Sequence, residues 1–408
     1  MRHDAAVTAP PPPSPAPQDG SPEARRSWLG LAAFYAASFG ALGVYMQFLP
    51  AWLHDVQGFG KQDVAVIFAT QTVARTFAGP LWAQWADRCG DPRRVLSLLS
   101  ACALGAFALF AVAPGLALAS AVGFLFGCLY PPMHAIVDAT AVRESDRHGY
   151  AFGRLRAVGS AAFLLVILAV GAALADGGTE HVYAIVLACL LATALAGRVV
   201  PRGPGPVAPG GGAPAPWWQL LRSRQFLVVL LCSALIQGSH ATFYQQSTVH
   251  WGEAGIDKSV AAMLWAEGVL AEVLLLFYAR RALGRLRPTT LLLIGGLGAA
   301  VRWVFVGATT DVATLFAVNW LHALSFAATY LGAIRALERR VPAAQRATAQ
   351  GLLGAATSGG GMVFCGLCGG VMFEHVGAQA YYLMAGFALV GAVAALWLRR
   401  AQDAQRSA

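Results

Sequence analysis

The chain is 408 residues long, 57% hydrophobic and only 12% charged, about half the charged share of an ordinary soluble domain. Apolar runs long enough to cross a hydrocarbon layer, which takes about 20 helical residues, recur along nearly its whole length and exclude a soluble globular protein. The net charge of +9 sits in short loops without a basic stripe interleaved with aromatics, which excludes a nucleic-acid surface.

In chain order, residues 1–24, with APPPPSPAPQDGSP, are Pro-rich and without apolar periodicity, and are predicted to form a disordered tail. Arg25 and Arg26 precede an apolar run that is too long for a signal peptide and lacks a small-residue cleavage site, so it is predicted as a first membrane helix. Twelve spanning helices are predicted, at 28–53, 63–85, 95–113, 115–141, 152–175, 182–200, 225–249, 259–280, 289–308, 312–337, 347–373 and 379–398. The runs are long and uninterrupted, unlike the alternating segments of a membrane β-barrel. The Pro/Gly/Ala stretch PRGPGPVAPGGGAPAP interrupts them once. The expected organisation is an all-α integral membrane protein with a six-helix bundle at 25–200, a linker at 201–222, a second six-helix bundle at 223–400 and a short tail at 401–408.

Basic residues alternate with this count. Arg88, Arg93 and Arg94, then Arg143, Arg147, Arg154 and Arg156, and later Arg222, Arg285, Arg335 and Arg399 all fall on the side of the termini, whereas Lys61 and Lys258 fall on the other. The positive-inside rule then places both termini in the cytoplasm and the chain, multi-pass, in a bacterial inner membrane.

The two halves echo one another. Tyr45, Gln47 and Trp52 recur 199 positions later as Tyr244, Gln246 and Trp251, and KQDVAVIFATQTVAR aligns with KSVAAMLWAEGVLAE, so that Arg75 matches Glu272. Repeats of this kind build transporters whose halves rock about a central site.

Ionisable residues inside apolar runs are costly and mark function by default. At 1.5 Å per residue, Arg75, Glu272, Arg302 and His322 lie about 15–20 Å into their helices, and His240 is as deep. They are expected to converge on one internal cavity as the substrate- and proton-binding set. Gln47, Gln237, Tyr244, Gln245 and Gln246 would add neutral hydrogen bonds, and Phe243, Trp265 and Trp303 aromatic walls. Arg302, a planar fork of donors, is expected to hold either Glu272 or a substrate carboxylate, so that substrate binding frees Glu272 to take up a proton. Arg75 is an alternative anchor for the anion. Glu267 sits about 140° around the helix from Glu272 and is left without an assigned partner. Asp138 and Arg156, near helix ends, are expected to form a gating salt bridge. CxxC at Cys365 and Cys368 stands in an apolar helix without further ligands, so no metal site is expected, and small residues there are expected to let helices approach closely.

The layout of six plus six helices resembles the major facilitator superfamily, and AQWADRCGDPRR (83–94) is similar to its signature between the second and third helices. That resemblance implies the major facilitator fold and a gating role for Asp87 and Arg88; Ala83 replaces the usual glycine, and Asp91-Pro92 interrupts the basic end. YAFGRLRAVGSAAF, LIQGSHATFYQQSTVHW, LWAEGVLAEV, VRWVFVGAT and NWLHALSFAATYLGAIR together resemble the phenylpropionate permease family, proton-linked importers of aromatic acids. The resemblance implies a secondary transporter, not an enzyme, that imports a small organic anion with protons by alternating access. It needs no cofactor beyond the coupling proton, its partners are the substrate and the bilayer, and it works as a monomer. Oligosaccharide symporters of the superfamily resemble the Glu-Arg-His set but add a carboxylate one turn past the histidine, where this chain has Ser325. The alternatives are a proton symporter of nucleosides or sugars, or an exporter of apolar compounds.

Overall fold

The computed structural model describes residues 21–175, 178–203, 218–283, 285–341 and 345–407. The first half consists of α1 (Pro22–Asp55), α2 (Lys61–Cys89), α3 (Pro92–Ala108), α4 (Gly115–Leu129), α5 (Pro132–His148), α6 (Phe152–Ala173) and α7 (Val182–Gly197). The second half follows a one-turn helix, α8 (Trp218–Leu221). It comprises α9 (Arg224–Gly238), α10 (His240–Glu253), α11 (Lys258–Ala282), α12 (Pro288–Ala308), α13 (Val312–Asn319), α14 (Thr329–Glu338), α15 (Arg346–Gly354), α16 (Met362–Val376) and α17 (Ala380–Ser407). π-helical turns over Ala323–Ala328 and Ala355–Gly361 lead into α14 and α16.

Two of the expected boundaries shift. Ser21 caps α1 by accepting the Ala24 N–H at 3.1 Å, so the helix already starts at Pro22, inside the expected tail. At the other end α17 continues to Ser407, through most of the second expected tail. The disordered state expected of residues 1–20 and most of the expected linker, 204–217, lie outside the described residues.

Among the described residues, ten helical stretches are long and apolar enough to cross a membrane, where twelve were expected. The difference has two local causes. Val182–Gly197, one of the expected spans, is apolar but shorter than the others. The last stretch, Thr348–Ala401, is 54 residues long and covers two expected spans. Gly377, at φ 57°, a value that favours glycine, ends α16. On either side of it Gly361 lies against Ala234, and Gly391 against Cys232 and Ile236, neighbouring turns of α9. The chain therefore doubles back at Gly377.

The apolar run at 115–141 is broken at Tyr130-Pro131, and the run at 225–249 at Ser239, which brings His240 to the start of α10. α1 is deeply set, two-thirds buried along its most apolar part, as is the stretch Arg224–Glu253, and it carries Phe34, Tyr35 and Phe48 into the largest apolar core. Phe77, Leu81, Leu165, Phe277 and Val393 point outward, as side chains facing lipid do.

Contacts between the halves gather at the end opposite the termini. Lys61 Nζ lies 2.8 Å from Glu253 Oε2, the Lys61 N–H donates to Glu374 Oε2 at 2.9 Å, and Gln246 Nε2 donates to the Lys61 carbonyl at 3.0 Å. Gly370 of α16 abuts Ala65 of α2 there, and a side chain in its place would force the two helices apart.

Candidate functional site

Between the halves lies a cavity of about 310 Å³. α11 supplies Glu272, α12 supplies Arg302, and His322 stands just ahead of the first π-helical turn, while α6 supplies Arg156 from the other half. Phe39, Phe243, Tyr244, Trp265 and Phe326 form much of its wall.

Arg302 is 1% exposed, and its charge is met inside the protein. Its Nε and Nη2 donate to Asn319 Oδ1 at 3.1 and 2.7 Å, and its Nη1 donates to His322 Nδ1 at 3.0 Å. The rings of Phe243 and Trp303 lie 4.4 and 4.6 Å from its Cζ, adding cation–π attraction. Arginine has donors only, so His322 Nδ1 is an acceptor and the ring of His322, when neutral, carries its proton on Nε2. That nitrogen is 3.6 Å from Glu272 Oε2. The result is an ordered chain from Arg302 through His322 to Glu272.

This corrects the expected pairing. Glu272 does not meet Arg302 directly; His322 stands between them, and the acceptor gripped by the guanidinium is the neutral amide of Asn319. Asn319 also donates through Nδ2 to the Leu264 carbonyl, which ties the end of α13 to α11. Sequence reasoning missed Asn319, although NWLHALSF places it three residues before His322, on the same helical face.

Arg156 was read as a gating residue, and the structure places it in the same cavity as Glu272. Its Nε is 3.8 Å from Asp138 Oδ1, a long contact, while the Tyr35 hydroxyl donates to that same oxygen at 2.5 Å. The Arg156 Cζ stands 4.2 Å over the Phe39 ring. Held this loosely, Arg156 has donors to offer a ligand. The side chain of Asp87 lies outside the described residues, and Arg88 is exposed at the end of α2.

His240 is fully buried behind His322, with ring centroids 5.3 Å apart. Its Nδ1 donates to the Ile236 carbonyl at 3.1 Å and shares the Gln237 carbonyl at 3.2 Å, leaving Nε2 to accept from Ser325 Oγ at 3.0 Å. It buttresses the network without lining the cavity. Ser325, where the sugar-type pattern has a carboxylate, is thus a partner of His240. Trp303, expected as a wall, is also fully buried, and its indole N–H donates to Ser239 Oγ at 2.8 Å.

Gln237 donates to the Phe326 carbonyl at 3.4 Å and lines a third cavity of about 480 Å³, which Glu272 and Phe326 also line and which runs to Gln350 and Gly354. Tyr244 lines the first cavity and also a second, of about 320 Å³, where Arg75 is found. Arg75 therefore does not join the Glu272 group; it donates to the Ser358 carbonyl in the second π-helical turn. Gln47, expected to contact substrate, is fully buried in α1 and lines none of these cavities. Glu267 lies outside them too, with Oε2 buried and unpartnered among the described residues. No group of three or more His, Cys, Asp or Glu side chains among the described residues could hold a metal ion.

A family model described as "MFS_1 like family" matches residues 28–384. A probable 3-phenylpropionic acid transporter of Escherichia coli (strain K12) is 29% identical over 374 residues, covering 89% of this chain and 95% of that protein. The maltose permease of Geobacillus stearothermophilus is 28% identical over 375 residues, covering 90% and 92%. Among solved structures, a mutant of the nucleoside transporter NupG superposes with a TM-score of 0.83 at 16% identity, over 91% of this chain and 99% of that one. The POT family transporter PepTSo gives 0.75 at 13% identity, over 93% and 99%. Those two likenesses establish a fold held in common.

Proposed function

The chain belongs to the MFS_1 like family, a multi-pass membrane transporter and not an enzyme, and we propose that it imports a small aromatic carboxylate together with protons by alternating access. The observation that carries this reading is the cavity in which Arg156 faces the Glu272–His322–Arg302 chain among aromatic walls. Its size suits a single ring with a short acid arm. In this reading the membrane is crossed twelve times, both termini are cytoplasmic, the monomer is the working unit, and two bundles rock about the cavity.

The coupling step follows from the position of His322. Ionised Glu272 attracts the His322 Nε2–H. Protonated Glu272 releases it, so the same N–H turns to a substrate oxygen while Arg156 holds the carboxylate. Substrate and proton are then bound together, and neither state leaves Glu272 as a bare buried charge. Arg302 does not move; held by Asn319, it fixes which ring nitrogen of His322 faces the cavity.

Proteoliposomes in weak buffer provide the test. Addition of 3-phenylpropionate should alkalinise the outside, its amide should not, and Glu272→Gln should abolish the pH change while exchange of labelled for unlabelled substrate persists. Substrate flux without proton movement in the unmodified protein would overturn the coupling, and equal competition by acid and amide would overturn the carboxylate.

A further inference from the structure

The second cavity adjoins the first, and Leu42, Met46 and Tyr244 line both. Arg75, Gln71 and His134 of the first half and Gln245 of the second surround it. Gln71 is 5% exposed and Gln245 6%, so both are more than nine-tenths buried. Yet Gln71 Nε2, Gln245 Oε1 and His134 Nε2 have no hydrogen-bond partner among the described residues. Folded proteins leave few buried polar atoms unpaired, because each forfeits its bonds to water, and here three belong to side chains that line one cavity beside an arginine. Arg75 gives a bond to the Ser358 carbonyl, but a guanidinium has five donors. A glutamine amide turned over presents its NH₂ in place of its oxygen, so Gln245 can join Gln71 in donating.

We propose that this cavity is a second anion subsite, in which a carboxylate is seated on Arg75 and Gln71. The inference extends the carboxylate reading of the first cavity. The carboxylate has two sources: the far end of a dicarboxylate that passes Tyr244 and occupies both cavities, or a separate monocarboxylate. Both meet the same groups, and they differ in how many molecules bind.

Equilibrium binding of 3-phenylpropionate and of 1,4-phenylenediacetate to the full chain in lipid nanodiscs, with Arg75→Gln and Gln71→Leu alongside, tests the proposal. Gln71→Leu leaves the tie between Arg75 and Ser358 in place, so its effect reports the ligand and not helix packing. If separate molecules bind, the unmodified protein takes two phenylpropionates and each variant takes one. If one molecule spans, each variant weakens the diacid at least tenfold and leaves the monoacid within twofold. Unchanged binding of both probes in Gln71→Leu, whatever Arg75→Gln does, would overturn the subsite and leave the first cavity's assignment standing. Failure of both probes to bind the unmodified protein would overturn both assignments.

Discussion

At the scale of single residues, Asn319 decides the form of the site. It accepts two hydrogen bonds from a guanidinium that is 1% exposed, and bonds to a charged group are worth about 1.5–3 kcal/mol each. Asn319→Leu should therefore lower stability by about 3 kcal/mol, read as a fall in melting temperature in detergent. Asn319→Asp keeps the acceptor oxygen but sets a second oxygen against the Leu264 carbonyl, so it should recover only part of the loss; a loss larger than that of Asn319→Leu would contradict the role given to the acceptor oxygen. Glu272, Arg302 and His322 were legible in the sequence because an ionisable group inside an apolar run is conspicuous. Asn319 was not, because a neutral amide beside a histidine carries no such signal. Arg156 stands near the helix end and beside Asp138, as expected, and its place in the cavity was not legible for a geometric reason: four residues into α6 its Cα is only about 6 Å along the helix, but a long side chain and a cavity reaching toward that end bring them together.

At the scale of elements, hydrophobic run length gave most spans to within a few residues, and the gap expected between 373 and 379 holds the reversal at Gly377. The π-helical turns were invisible to it, since an extra residue per turn leaves the hydrophobic count unchanged. They matter to the site: one begins directly after His322, and the other carries Ser358, the partner of Arg75. The close approach of α16 to α2 at Gly370 yields a prediction of its own. With Ala65 Cβ in the way and the Lys61 carbonyl 3.4 Å from an added Cβ, Gly370→Leu should keep that end from closing. Spin labels placed on α2 and α16 near that end should report a longer distance by several ångströms, and an unchanged distance would remove Gly370 from the closing surface.

For the molecule as a whole, the halves are held at the end opposite the termini by a few polar contacts centred on Lys61. The Lys61 and Glu253 side chains are 18% and 46% exposed, and such pairs contribute at most about 1 kcal/mol and weaken as salt screens them. Glu253→Gln together with Glu374→Gln should shift the population toward the state open at that end by up to about tenfold. Raising salt should mimic part of the shift in the unmodified protein, with the same spin-label distances as the measure. A distribution indifferent to both changes would place the closing energy in helix packing alone. Sequence pairing of Lys61 with Lys258 pointed to that end of the molecule, but not to Glu253 and Glu374, because it compared the halves with each other and carried no information on which residues meet across them.

The length of α1 carries a further consequence. At 34 residues it extends about 50 Å, against a hydrocarbon layer of about 30 Å. The excess must project beyond that layer, and at the opening turns Arg25 and Arg26 are exposed and Glu23 is held by Arg147 at 2.9 Å. Were those turns to meet anionic headgroups, phosphatidylglycerol or cardiolipin would compete with Glu23 for Arg147 and attract Arg25 and Arg26, so that the charge of the leaflet would bear on how the first helix is anchored.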